Sequence, residues 1–272
     1  MKFLTLCCAS LMLLGVSNAD GVKWEKDWDT ALKSAQTSKK MIMIDFYTDW
    51  CGWCKKLDAD VFQNIEFGKT SKDFLAVKLN AEKEGETLAK KFEVDGFPTI
   101  VFVDSNGDLV GKIVGYLPLP DFTHQTKLIQ KSFNAFSKSL DTVKTKPNDA
   151  DALSEAALGY ALRGKVKESE EFLTRAEKAN ATGESIAWAY NTLGDVYYDK
   201  DEMDKAVEMF KKADKTAKEP FTKSYAKISL AVSYYYMDKV EECKKVCNEL
   251  ISMKGANPEH VKVAKEILEE IG

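Results

Sequence analysis

The chain has 272 residues, 44% apolar and 30% charged, with 39 basic against 43 acidic side chains and a formal net charge of −4. That composition belongs to folded, soluble protein, and disorder is not its default. The lysines are interspersed with acids, so no basic stripe is laid out for nucleic acid.

Met1-Lys2 precedes an apolar run over residues 3–16 and the small residues Ser17-Asn18-Ala19, the pattern of a signal peptide over residues 1–19. The run is shorter than the roughly 20 residues a membrane helix needs. The expectation is an exported chain beginning at Asp20, in the periplasm or, alternatively, secreted. Lys2 is the one charged residue removed, leaving 38 basic side chains against 43 acidic ones. Four cysteines remain, Cys51, Cys54, Cys243 and Cys247, too few for a disulfide-built scaffold even in an oxidising compartment.

In chain order, residues 28–39 carry a helical pattern. Residues 41–47 form a continuous apolar run interrupted by Asp45, suited to a strand buried on both faces. A helix over residues 51–62, a strand over 74–79 and a helix over 85–92 follow. Strands over 99–103 and 109–114 are joined by Asp104-Ser-Asn-Gly-Asp108, whose Asn-Gly supplies a positive φ cheaply. A helix over 121–140 follows Pro118 and Pro120. Strands alternating with helices predict an α/β domain over residues 20–140. Residues 141–150 are polar, contain Pro147, and read as a linker.

Residues 151–272 are helical throughout. Tyr160, Tyr197 and Tyr234 recur every 37 residues, as do Ala157, Gly194 and Ala231, and then Ala176, Ala213 and Leu250. In the middle copy, Tyr190, Leu193, Gly194, Tyr197, Ala206, Phe210, Ala213 and Pro220 resemble the tetratricopeptide pattern, with an aromatic in place of its usual tryptophan. The small residues let two helices approach while the aromatics fill the space beside them. The three residues beyond the usual period are expected between repeats, and residues 260–271 are expected to cap the stack. Cys243 and Cys247 fall on core-facing repeat positions, where free cysteine packs as a small hydrophobe.

Trp50-Cys51-Gly52-Trp53-Cys54 directly follows the buried strand and opens a helix. Unsatisfied N–H groups and the positive end of the helix dipole stabilise a thiolate there, and such sites lower thiol pKa values to about 3.5–7.5. The two-residue spacer keeps both sulfurs on one face, within bonding reach. Asp45, inside an apolar strand, faces a desolvation cost that raises its pKa toward the range of a proton carrier.

Asp45-Phe46-Tyr47, Trp50 to Lys55, Lys78-Leu79-Asn80 and Gly96-Phe97-Pro98-Thr99, in that order, resemble the thioredoxin superfamily over about residues 20–140. Within it they look most like the C-terminal periplasmic domain of the DsbD-type reductase. The fold class expected is therefore a thioredoxin-like α/β domain followed by an all-α, tetratricopeptide-like repeat domain. The resemblance implies that Cys51 is the nucleophile and Cys54 the resolving thiol. Asp45 takes and returns the Cys54 proton, with Lys78 as its neighbour. Pro98 is cis, and the Phe97-Pro98 backbone lies against Cys51 to pair with an incoming peptide. Trp53, with Trp50, Gly52 and Phe97, is expected on the substrate-contact surface, and Trp50 also partly in the core. Thioredoxins usually carry proline at the place of Trp53. The tryptophan restores an N–H close to the Cys51 sulfur, which predicts a reduction potential above the roughly −270 mV of thioredoxin.

The expected function is an exported thiol-disulfide oxidoreductase, favoured in the reducing direction, acting on disulfides of exported proteins. No cofactor is required beyond the redox-active disulfide Cys51–Cys54. A membrane-bound thiol reductant would supply electrons, and the repeats would hold a protein or peptide ligand. In the alternative reading the repeats are the working part of an adaptor and the thioredoxin-like half is a scaffold. A zinc site joining Cys51 and Cys54 to Cys243 and Cys247 is a further alternative, disfavoured by the core positions of the second pair. His124 and His260 receive no role.

Overall fold

The structure, a computed structural model, describes residues 21–272; the signal-peptide reading of residues 1–19 lies outside them. The first half is built on a four-stranded sheet of β1 (Ile42–Tyr47), β2 (Leu75–Asn80), β3 (Thr99–Val103) and β4 (Leu109–Val114), in the order β2-β1-β3-β4. β1 runs parallel to β2 and antiparallel to β3, which pairs antiparallel with β4. The β3–β4 turn follows its sequence: Gly107 takes φ +80°, and the Asp104 carboxylate accepts hydrogen bonds from the N–H groups of Asn106 and Asp108.

Alternation along β1 sorts the helices between two faces. Ile42, Ile44 and Phe46 share a core with Ala31 and Ala35 of α1 (Trp28–Ser38) and Ala89 of α4 (Glu86–Lys91). Met43 joins the other core. Leu57 of α2 (Gly52–Leu57), Phe67 of α3 (Ile65–Thr70), and Phe122 and Ile129 of α5 (Leu119–Thr145) belong to that second core. Between α2 and α3 the helix widens into a π-helical turn over Asp58–Phe62. α3 was not expected; Asn64 starts it by accepting hydrogen bonds from the N–H groups of Glu66 and Phe67.

The second half comprises α6 (Ala150–Leu162), α7 (Val166–Lys178), α8 (Glu184–Asp199), α9 (Met203–Thr216), α10 (Pro220–Tyr236), α11 (Val240–Ser252) and α12 (Pro258–Ile271). The 37-residue recurrence is visible in the backbone. The second helices of the three pairs start at residues 166, 203 and 240. Gly164, Asp201 and Asp238 share a positive φ, and the carbonyls of Tyr160, Tyr197 and Tyr234 accept the N–H of Lys165, Glu202 and Lys239, each at 2.9 Å. At one repeat position Ser169 and Cys243 donate to the carbonyls of Ala157 and Ala231. In the middle copy Gly194 lets the Phe210 ring sit where a Cβ would otherwise be. The additional residues of each repeat lie partly inside helices, because α8 and α10 start six and seven residues before Tyr190 and Lys227 and run for 16 and 17 residues, against 13 for α6.

The expected linker is shorter than its composition suggests. α5 continues to Thr145, and Lys146 to Asp149 alone connect it to α6. Tertiary packing overrides local polarity here. Ser139 and Val143 are buried, and Phe136 lies where Gly159 of α6 has no side chain. At its other end α5 meets the repeats again. Asp121 accepts a hydrogen bond from Asn257 and lies 3.3 Å from His260 Nε2. His124 stacks on Phe221 at 3.9 Å and packs against Trp188. One apolar cluster consequently runs from Met43 and Phe122 through Leu153 and Trp188 to Leu250.

Candidate active site

β1, an inner strand, delivers Cys51 just beyond its carboxyl end, where the residue becomes the N-cap of α2 with extended φ and ψ. Its Sγ accepts the Cys54 N–H at 3.0 Å. The two sulfurs are bonded to each other, with Cα atoms 5.3 Å apart, and both residues are buried. The donor to Cys51 is thus the N–H of Cys54, which a proline at position 53 would leave in place, and the expected help from the Trp53 N–H finds no counterpart in this contact.

Asp45 is buried, on the same face of β1 as Met43 and hence toward the core that Leu57 of α2 enters. It pairs with Lys78 in the β1–β2 register, and Lys78 Nζ lies 3.2 Å from Asp45 Oδ2. Asp45 Oδ1 is buried without a hydrogen-bond partner among the described residues. Burial, opposed by Lys78 and aided by Asp58, lifts the carboxyl to about 6. Lys78 also bonds Asp58, one turn beyond Cys54. Burial pulls the Lys78 ammonium down, but Asp45 and Asp58 outweigh it and hold Lys78 above its ordinary value. The chain therefore places one cation between two carboxylates, of which sequence reading identified Asp45 alone. The signal for Asp58 was its position four residues after Cys54, on the same helical face.

The Phe97–Pro98 peptide bond is cis. Since Thr99 pairs with Phe46, Pro98 sits at the sheet end where β1 hands over to Cys51. The Pro98 carbonyl accepts the N–H of Gly115, at 2.8 Å. Trp53 is exposed, as expected of a contact residue, and Gly52 beside it is exposed as well. Trp50 corrects the expectation of a partly core aromatic. It is 68% exposed, its indole N–H donates to Glu82 at 3.0 Å, and its ring stands edge-on to Phe97 at 5.9 Å. A satisfied N–H and an aromatic neighbour hold the indole at the surface.

Cys243 and Cys247 are free thiols buried inside α11. Burial raises both, Cys247 to about 12 with further help from Cys243. His124 and His260 lie in the seam between α5 and the repeats, away from the cysteine pair in the chain. Among the described residues no helix is long and apolar enough to cross a membrane.

A family model described as a thioredoxin-like domain matches residues 28–130. A thioredoxin H-type of Brassica campestris is 37% identical over 90 residues, which make up 33% of this chain and 69% of that protein. The thiol:disulfide interchange protein DsbD of Yersinia pestis (strain Pestoides F) is 32% identical over 93 residues, 32% of this chain and 16% of DsbD. This chain thus spans under a fifth of DsbD. The solution structure of a thioredoxin from Thermus thermophilus is 23% identical, with a TM-score of 0.39, over 42% of this chain and 92% of that one.

Proposed function

The chain belongs to the thioredoxin-like family of disulfide oxidoreductases, and from that premise we propose that it is exported and reduces disulfides in extracytoplasmic proteins. The carrying observation is the Cys51–Cys54 disulfide at the head of a helix, with exposed indoles before and after Cys51. In the reduced protein the Cys51 thiolate attacks a substrate disulfide. The substrate S–S bond breaks, a mixed disulfide forms, and the departing sulfur takes a proton. The Cys54 thiol then gives its proton to Asp45 and attacks Cys51, releasing the second substrate sulfur. Two electrons have passed to the substrate, and Cys51 and Cys54 are joined.

Lys78 holds Asp45 in place and favours its return to the charged form, while the Phe97-Pro98 backbone aligns the incoming chain. A membrane-bound thiol reductant restores the dithiol, as the likeness to DsbD suggests, and the residue 1–19 pattern supports a periplasmic destination. The division into a thioredoxin-like half, residues 20–140, and a tetratricopeptide-like half, residues 151–272, belongs to the same reading. The helical half recruits substrate or partner. Support comes from the tyrosines at the ends of α8 and α10, where Tyr236, 66% exposed, contacts Tyr198 and Tyr235. Stacked helix pairs present such surfaces to extended peptides.

Reduction of a protein disulfide by wild type and by Cys51→Ser tests the chemistry: the variant is expected to be inactive. Equal rates would make the sheet half a scaffold and the helical half an adaptor. Cys54→Ser, expressed in the native host, is expected to retain a substrate or the electron donor covalently on Cys51.

A further inference from the structure

We propose that Tyr116 is a positioning residue that fixes Trp53 as one wall of a surface for protein disulfides flanked by apolar side chains. The proposal deepens the oxidoreductase reading and rests on it.

Trp53 is 59% exposed, in the first turn of α2. An indole so placed has rotamer freedom to lose on binding a partner. Its ring, however, lies over Tyr116 at 5.4 Å between centroids, with the planes 35° apart. Tyr116 is itself held at two points. The preceding residue, Gly115, at φ +79°, donates to the Pro98 carbonyl, which ties this loop to the Phe97-Pro98 segment. The phenol O–H donates to Asp60 Oδ2 at 2.7 Å. The same oxygen accepts from Lys56 at 2.7 Å, and the Lys56 ammonium lies 5.1 Å above the tyrosine ring. Trp53, Lys56 and Asp60 all stand on the helical run that begins at Cys51, so Tyr116 clamps the outer side of that run to the end of β4.

Trp50 is braced in a parallel way, by Glu82 on its indole N–H and by the edge of Phe97. Two exposed indoles, each backed by a second aromatic ring, therefore come before and after Cys51 in the chain. Such a surface fits an extended segment whose cystine is flanked by apolar or aromatic residues. It fits glutathione disulfide poorly, which offers charged groups instead. Lys56 and Lys83 at the edges are committed to Asp60 and Asp49.

The test measures saturation kinetics of the full chain with insulin and with glutathione disulfide, dithiothreitol restoring the Cys51–Cys54 dithiol after each turnover and its uncatalysed rate being subtracted. Tyr116→Leu is expected to raise KM for insulin about three- to tenfold, to leave kcat within about twofold, and to lower the preference for insulin over glutathione disulfide by the same factor. Trp53→Ala should do the same, and the double variant should lose no more than Trp53→Ala alone, because Tyr116 acts through the indole. Tyr116→Phe, which keeps the ring and the volume, should show a smaller rise in KM and carries the test if the leucine variant does not fold. Losses that add in the double variant, a fall in kcat at constant KM, or equal loss on both substrates would overturn the proposal. A wild type that reduces neither substrate overturns the oxidoreductase reading, and this proposal with it.

Discussion

Cys51 and Cys54 stand at the head of α2, where a strand ends and unpaired N–H groups begin; Cys243 and Cys247 stand four residues apart within α11, amid apolar neighbours. Both pairs are buried, yet the first pair is bonded and borders a surface of exposed indoles, while the second consists of free thiols whose acidity burial suppresses. Position relative to a helix terminus, more than burial, separates the bonded pair from the packing pair. A raised carboxyl is likewise no mark of redox chemistry by itself. Asp195 in α8, bonded by Tyr225, reaches about 8 through burial, above the value of Asp45.

The comparison breaks most visibly at the nucleophile. Cys51→Ser should lower the rate of insulin reduction at least about a thousandfold, whereas Cys243→Ala and Cys247→Ala should keep it within about twofold. Loss of activity in the second set would place α11 in the reaction.

Asp45 sharpens the contrast through pH. Its ordinary value is 3.8 and its folded value about 6, so the folded state holds a proton that the unfolded chain has released between those values. The stability this contributes is complete below the ordinary value and is lost as pH rises through 6. Asp45→Asn removes that loss, and its advantage over wild type should grow by about 2 kcal/mol between pH 4 and pH 8, read from urea unfolding at both pH values. The same variant should slow resolution of the mixed disulfide. An advantage that does not change with pH would mean that Asp45 is charged in the folded protein at pH 4.

Packing in the repeats predicts a smaller effect. A methyl group at Gly194 would enter the Phe210 ring, so Gly194→Ala should cost about 1–3 kcal/mol in thermal unfolding. An added carbon at Gly52 meets nothing within 4 Å, and Gly52→Ala should change stability by less than about 1 kcal/mol. Cys243→Ala should cost about 1 kcal/mol through the lost sulfur contact to the Ala231 carbonyl and its packing.

Much of this arrangement was legible beforehand because it rests on period and punctuation. The apolar runs of β1 and β3, Gly107 in the hairpin and the tyrosines at 37-residue intervals each report a local requirement. What escaped depends on partners remote in sequence. α5 passes through Asp141 and Thr142, a polar stretch that reads as a linker, because Val143 on the same helix is buried. Trp50 looked partly like a core residue until Glu82 and Phe97 were seen holding it outward. Tyr116 gave no signal at all, since its importance comes from Trp53 and from Asp60, 56 residues away.

α5 closes the sheet with Phe122 and Ile129, then braces the first repeat with Phe136 and Val143. One helix thereby serves as a wall of the sheet half and of the repeat half. A break near the middle of α5 would therefore strip packing from both halves at once, which makes this helix the common keel of the molecule.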